Sequence, residues 1–327
     1  MADKDPIVTH VYTADPSAHV FKGKLYIYPS HDRESDIPFN DNGDHFDMND
    51  YHVFSMEEVG GPVTDHGVVL KTADVPWVSK QLWAPDAAEK DGKYYLYFPA
   101  RDKEGIFRIG VASGDDPAGP FKPEPEAIKG SFSIDPATFV DDDGQAYLYF
   151  GGIWGGQLQC WATGEFNKDG FKTMEAQEGP ALAPKVGKLN DDMKSFASPP
   201  QDALILDENG EKLHSLDHDR RFFEAAWMHK YKGKYYFSYS TGDTHFLCYA
   251  TGDSPLGPFT YGGRILEPVI GWTTHHSIAE FKGKWYLFYH DSSLSKGVTH
   301  LRCVKIREIV YDEQGKISLA DAQAKLE

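Results

Sequence analysis

The feature that most restricts this chain is a hairpin written five times. Phe21-Lys22-Gly23-Lys24-Leu25-Tyr26-Ile27-Tyr28 returns as Lys90-Asp91-Gly92-Lys93-Tyr94-Tyr95-Leu96-Tyr97 and as Asp142-Asp143-Gly144-Gln145-Ala146-Tyr147-Leu148-Tyr149. It returns again as Tyr231-Lys232-Gly233-Lys234-Tyr235-Tyr236-Phe237-Ser238-Tyr239 and as Phe281-Lys282-Gly283-Lys284-Trp285-Tyr286-Leu287-Phe288-Tyr289. A tyrosine follows each glycine by three residues. Glycine supplies the positive φ of a two-residue hairpin turn, and the alternating aromatics after it read as a half-buried strand. The glycines are 69, 52, 89 and 50 residues apart. These intervals are irregular, but each has room for four short strands. Units averaging roughly 65 residues, somewhat longer than the usual blade period, predict an all-β chain. The expected fold is a five-bladed β-propeller, with four-stranded antiparallel blades around a central channel, as a single domain over residues 1–327.

A second element supports the repeat. Ala112-Ser113-Gly114-Asp115-Asp116-Pro117-Ala118-Gly119-Pro120-Phe121 matches Ala250-Thr251-Gly252-Asp253-Ser254-Pro255-Leu256-Gly257-Pro258-Phe259. Two blades therefore share the exit of their third strand, with Phe121 and Phe259 as anchors. Pro180, Pro184, Pro199 and Pro200 predict an extended loop in the long third interval, and residues 30–52 form an insertion rich in Asp, Asn and His. Helical periodicity is weak except over Leu319 to Glu327.

Composition narrows the function. Lys and Arg total 33 against 50 Asp and Glu, a net charge of −17. Nucleic acid and anionic membrane surfaces reward clustered positive charge and fit this chain poorly. No apolar run approaches the ~18 residues of a membrane span. The N-terminus lacks the apolar stretch of a leader peptide, so a cytoplasmic location is expected, although a leader already removed is compatible. Cys160, Cys248 and Cys303 are too scattered for a disulfide scaffold or a paired-Cys zinc site and read as buried thiols. Phe 20, Tyr 18 and Trp 7 bring the aromatic content to 14%. An acidic, aromatic-rich surface suggests a neutral, ring-shaped ligand such as a sugar.

The residues eight or nine positions before each turn glycine carry the chemistry. They are Asp15, Trp83, Asp135, Glu224 and His275. In a propeller the innermost strand of each blade starts beside the channel, so equal phase gathers these five around one axis. Asp-Pro alone favours turns. Three acids in one phase, however, would be costly to bury without a partner or a purpose. Converging carboxylates shift one another's pKa values and can yield one protonated acid and one ionised base at neutral pH. Their use on a sugar is glycosidic hydrolysis.

The chain resembles glycoside hydrolase family 43, the five-bladed propeller β-xylosidases and α-L-arabinofuranosidases. The resemblance rests on Ala14-Asp15-Pro16-Ser17, Trp83-Ala84-Pro85-Asp86, Ser133-Ile134-Asp135-Pro136, Glu224-Ala225-Ala226-Trp227 and His275-His276-Ser277-Ile278. It implies inverting hydrolysis with Asp15 as general base, Glu224 as general acid, and Asp135 as the carboxylate that tunes and orients the acid. The family more often has Gly or Ser after the acid; Ala225 is expected to matter little because it is nearly as compact. The resemblance also implies that His275 contacts a hydrated divalent metal ion near the third carboxylate. Calcium is expected, with magnesium or manganese as alternatives. His275 is preferred over His276 because adjacent strand residues face opposite ways.

Trp83 is expected to wall the sugar subsite, since an indole can stack on a pyranose face. Trp154, on the Gly-rich stretch 151–156, is expected to be a second platform. Arg302 matches an arginine that reaches the site in some relatives and is taken as a third substrate-binding residue. The expected activity is exo-acting β-1,4-xylosidase, releasing xylose from the non-reducing ends of xylo-oligosaccharides. An α-L-arabinofuranosidase acting on arabinose-substituted oligosaccharides, or both activities in one pocket, is the near alternative. A non-catalytic sugar-binding propeller is the alternative of a different class. Oligomeric state is open, and a homo-oligomer is compatible.

Overall fold

The computed structural model describes residues 5–170 and 178–323. Five antiparallel sheets follow one another along the chain as blades. Blade I comprises Tyr12–Phe21, Lys24–Asp32, Asp50–Met56 and Val63–Lys71. Blade II comprises Asp86–Lys90, Lys93–Asp102, Phe107–Gly114 and Lys122–Pro123, with Val78–Lys80 added at one end of its second strand. Blade III comprises Ala137–Val140, Ala146–Phe150, Lys185–Lys188 and Gln201–Asp202. Blade IV comprises Glu224–Tyr231, Lys234–Ser240, Leu247–Gly252 and Phe259–Leu266, and the short Ile205–Leu206 pairs parallel with the last of these. Blade V comprises His276–Phe281, Lys284–Asp291, Cys303–Tyr311 and Ile317–Leu319. Each blade's first strand lies beside the first strand of the next, and that of blade V lies beside that of blade I. The ring of the five-bladed propeller is therefore closed.

Among the described residues, closure uses no exchanged strand. The segment entering blade I donates Ile7 N–H to the Val304 carbonyl at 2.9 Å and Thr13 N–H to that of Arg302 at 3.0 Å, which ties it to blade V. No helix among the described residues is long and apolar enough to cross a membrane.

The repeated hairpin builds the blades. In four copies the turn is two residues long, with both in the left-handed region: Lys22–Gly23, Asp91–Gly92, Lys232–Gly233 and Lys282–Gly283. This geometry matches the twist of the flanking strands. Blade III departs from the expectation. Val140 pairs with Ala146, so the connection spans residues 141–145 and closes with Gly144 N–H on the Asp141 carbonyl. The acidic run Asp141-Asp142-Asp143 makes a longer loop in which the Asp141 carboxylate takes Lys230 and Tyr235 as partners.

The repeated exit also has a physical reason. Tyr28 of blade I donates its hydroxyl to the Pro117 carbonyl at 2.6 Å, and Tyr149 of blade III donates to the Pro255 carbonyl at 2.5 Å. A buried phenol needs such a partner, and the Asp-Pro or Ser-Pro exit of the following blade presents it. Phe121 and Phe259 beside these exits are buried, as expected of anchors. All three cysteines are buried thiols and none forms a disulfide among the described residues. A single helical turn covers Ala320–Gln323; the rest of the expected C-terminal helix lies outside the described residues.

Candidate active site

The five in-phase residues do meet at one mouth of the channel. Asp15, Trp83, Asp135, Glu224 and His275 all line one pocket of about 650 Å³, its mouth included. Trp83, Asp135 and His275 precede the first strands of their blades, and Glu224 begins its own. Asp15 sits inside the first strand of blade I, where the register breaks between Ala14 and Ser17. The backbone there is unusual. Asp15 (φ 48), Asp135 (φ 56) and Ala225 (φ 64) are all left-handed, a conformation that costs a residue with a Cβ on the order of 1–2 kcal/mol. Strain of this kind persists where the surroundings over-determine it, as functional sites do. The conformation at Ala225 also corrects the expectation drawn from its size. The position selects for a left-handed backbone, which glycine reaches without cost, and compactness is the lesser issue.

Asp15 is held by donors on every side. Arg302 Nη1 donates to its Oδ1 at 2.9 Å and Ser30 Oγ to its Oδ2 at 2.6 Å. Its backbone N–H donates to His290 Nδ1 at 2.9 Å, which leaves the Nε2–H of that ring facing the Thr273 carbonyl at 3.0 Å. Burial would raise the Asp15 carboxyl, but Arg302, the neighbouring histidines and Ser30 outweigh it and hold it at about 2. Burial pushes His290 down to about 3 and His275 down to about 4. Both rings are thus neutral at neutral pH, and Arg302 is the charge that keeps Asp15 ionised.

Glu224 is the opposite case. Its carboxyl makes no hydrogen bond among the described residues. Burial and the charge of Asp15 raise it to about 8, against a smaller opposing pull from Arg302. Asp135 accepts the Ala225 N–H at 2.7 Å. Burial, Glu224 and Asp15 push its carboxyl well above the usual range. The site thus pairs an ionised carboxylate with a protonated one, the division needed for base and acid at the same pH.

His275 Nδ1 lies 3.6 Å from Asp15 and 3.7 Å from Asp135, beyond hydrogen bonding. A neutral imidazole without a hydrogen bond among the described residues, beside two carboxylates, fits a hydrated divalent cation. His276 is fully buried, with Nε2 on Ser238 Oγ at 2.6 Å, and it is not among the residues that line the pocket.

Trp83 lines the pocket with its indole N–H on the Phe46 carbonyl at 2.9 Å and its rings against Phe46 and Phe107. Trp154 opens a short 3₁₀ turn, Trp154–Gly156, and lies against Trp272 and Phe223 on the same lining. Arg302 is in the pocket but deeply buried. It clasps Asp32 through Nε (2.8 Å) and Nη2 (2.7 Å), and its Nη1 also reaches Thr273 Oγ1 at 3.0 Å. Of its five N–H donors, one on Nη2 is left without a protein partner among the described residues.

Sequence reasoning missed Ser30, His290 and Asp32, and it saw the loop of residues 33–49 only as part of an insertion over residues 30–52 and not as a wall of the pocket. Ser30 and His290 each fall seven residues after a turn glycine, where the second strand returns to the channel mouth; that phase was a usable signal. Phe39, Asn40, His45 and Met48 of the loop line the pocket. The loop is pinned from blade II, where Arg101 donates to the Asn42 carbonyl at 2.8 Å and Gln81 to that of Gly43 at 2.9 Å.

A five-bladed propeller with an ionised and a protonated carboxyl facing one sugar-sized pocket defines a glycoside hydrolase. The chain belongs to the glycosyl hydrolases family 43, whose model matches residues 4–317. It is 70% identical over 319 residues to a xylosidase/arabinosidase 43A of Humicola insolens, covering 95% of this chain and 98% of that one. It is 58% identical over 316 residues to a xylosidase/arabinosidase of Bacteroides ovatus, covering 96% and 97%. Among solved structures it is similar to a family 43 β-xylosidase/α-arabinofuranosidase from a compost microbial metagenome, in complex with xylotriose and in a calcium-free form. The two share 66% identity with a TM-score of 0.95 and 97% coverage of each chain.

Proposed function

We propose that this enzyme is an exo-acting β-xylosidase with α-L-arabinofuranosidase activity in the same pocket, cleaving with inversion. The observation that carries the reading is the opposed ionisation of Asp15 and Glu224 across one pocket. Glu224 gives its proton to the glycosidic oxygen as the bond from C1 to that oxygen breaks. Asp15 takes a proton from the water that bonds to C1, so the two carboxyls exchange protonation states over one turnover. Asp135 fixes the Ala225 backbone and, through it, the position of Glu224. Trp83 and Trp154 offer faces for the sugar rings, and Arg302, also on the pocket lining, holds Asp15 ionised. The wall made by residues 33–49 favours a pocket that takes a chain end over an open groove. The relatives named for both sugars, and the xylotriose complex of the metagenomic enzyme, support xylo-oligosaccharide and arabinoside as substrates.

His275 would hold a hydrated divalent cation beside Asp135, with calcium the preferred ion. Such a cation supplies positive charge to a pocket crowded with carboxylates. The whole reading is tested by the rates of nitrophenol release from nitrophenyl β-xyloside and nitrophenyl α-L-arabinofuranoside. Release from neither overturns it, and the ratio of the two rates sets the preference.

A further inference from the structure

We infer that blade I carries a second metal site, for a zinc-class divalent ion, built from His31, Asp50 and His52 outside the pocket. His31 is near the end of strand Lys24–Asp32, and Asp50 and His52 lie at the start of the neighbouring strand Asp50–Met56. One ligand atom from each of the three falls within 4.8 Å of the others. The His31 and His52 rings meet edge to face with centroids 4.7 Å apart. All three side chains are partly exposed, so an ion can enter. None of them lines the sugar pocket.

The donor set selects the ion. Two imidazoles and one carboxylate suit zinc with a water in the fourth position, whereas calcium and magnesium ask for oxygen ligands. Ligand atoms on one tetrahedral zinc, bonded at about 2.0–2.2 Å, sit on the order of 3.4 Å apart. Small side-chain rotations bring the cluster to that spacing. His31 Nδ1 and the Asp50 carboxylate, now 2.6 Å apart, need to separate slightly.

A second observation points the same way. His52 Nδ1 faces Asp65 Oδ1 at 3.0 Å, and that oxygen also accepts the Gly67 N–H at 2.8 Å. A carboxylate that takes one imidazole N–H fixes the tautomer and turns the other nitrogen's lone pair outward, as the outer partners of zinc-bound histidines do. The location gives the ion a role. The strands bearing His31 and Asp50 are the two ends from which residues 33–49 spring, and that loop walls the pocket. Asp32, next to His31, holds Arg302 and through it Asp15. An ion bridging the strand ends would pin the base of the wall.

The test is zinc titration of the untagged, metal-stripped full chain, with millimolar calcium present to occupy hard-cation sites. The expected result is one saturable equivalent of zinc that calcium does not displace, with a rise in Tm on binding. The double variant His31→Ala/His52→Ala should lose both, Asp65→Asn should bind about 10–100-fold more weakly, and His275→Ala should bind as the parent does. Glycosidase activity without zinc reports that the double variant is folded, and Asp65→Asn decides the matter if it is not. Absence of saturable zinc binding in the parent overturns the site. So does binding that is unchanged both in the double variant and in Asp65→Asn, which would make the cluster a pair of ordinary His–Asp contacts.

Discussion

Glu224→Gln should lower turnover steeply and, at neutral pH, make the protein more stable. The Glu224 carboxyl sits at about 8 in the folded chain and at 4.5 when unperturbed, raised first by burial and then by Asp15. A folded pKa above the unfolded one means the group's stability is fully present below pH 4.5 and is lost as pH rises towards 8. Proton linkage between those two values gives a loss of about 3 kcal/mol by pH 7, a large share of a total folding stability of roughly 5–15 kcal/mol. The figure is an upper value, because Glu224 is partly open to the pocket and its water softens the burial. Glutamine is neutral at every pH and escapes the loss. The variant should therefore match the wild type near pH 4 and exceed it increasingly up to pH 8. Urea and thermal melts of both proteins across that range, with a chelator present, measure the gap. Turnover should fall on the order of 10²–10⁴-fold, the usual scale for loss of a general acid. A gap that stays flat from pH 4 to pH 8 would refute the argument that Glu224 is held protonated by its surroundings.

Asp15→Ala should lower kcat on the order of 10²–10⁴-fold while keeping the fold; a rate within a few-fold of wild type removes Asp15 from the role of base. Proton NMR of a xyloside digest should show the α-anomer of xylose first, and initial β-xylose would mean a retaining reaction. Chelation should lower the rate and calcium, magnesium or manganese should restore it, while His275→Ala should lose that response together with most of the activity. His276→Ala should keep the metal response but lose roughly 1–3 kcal/mol of stability, because it leaves the buried Ser238 hydroxyl without its partner.

The hairpin repeat made the site legible because it fixes phase. Once the turn glycines are aligned, the ring geometry brings Asp15, Asp135, Glu224, Trp83 and His275 together without any further information. The same alignment contained Ser30 and His290 on the returning strand, but a lone serine and a lone histidine carry too little chemical signal to stand out. Asp32 was hidden for a different reason. Its partner Arg302 is 270 residues away, and an ion pair between the first and last blades leaves no local pattern. The wall of residues 33–49 was legible only as an insertion, since its position depends on backbone carbonyls of Asn42 and Gly43 that any residue supplies to Arg101 and Gln81. Hairpin III was misjudged because Gly144 follows three aspartates, and the extra residues lengthen the turn while keeping the same glycine.

The order in which the carboxyls ionise follows from how unevenly the donors are shared. Arg302 is the cation that reaches the group, and it faces Asp32 and Asp15. Asp15, despite burial, is held at about 2 by Arg302, the neighbouring histidines and Ser30, whereas burial and the charge of Asp15 raise Asp32 against the pull of Arg302, so Asp15 ionises first. Asp135 has one donor, the Ala225 N–H, and Glu224 has none among the described residues. Asp15 and Asp32 share that one guanidinium. Burial then makes each further ionisation harder. Burial raises both Asp135 and Glu224, and a charge on Glu224 raises Asp135 further despite its donor; a cation beside His275, 3.7 Å from Asp135, would favour the charged form of Asp135. With such a cation in place, Glu224 would be the last of the three to ionise. In the proposed reaction, a cation that charged Asp135 would leave the proton on Glu224, the residue proposed to donate it, so a metal near the third carboxylate would assist without touching the bond that breaks.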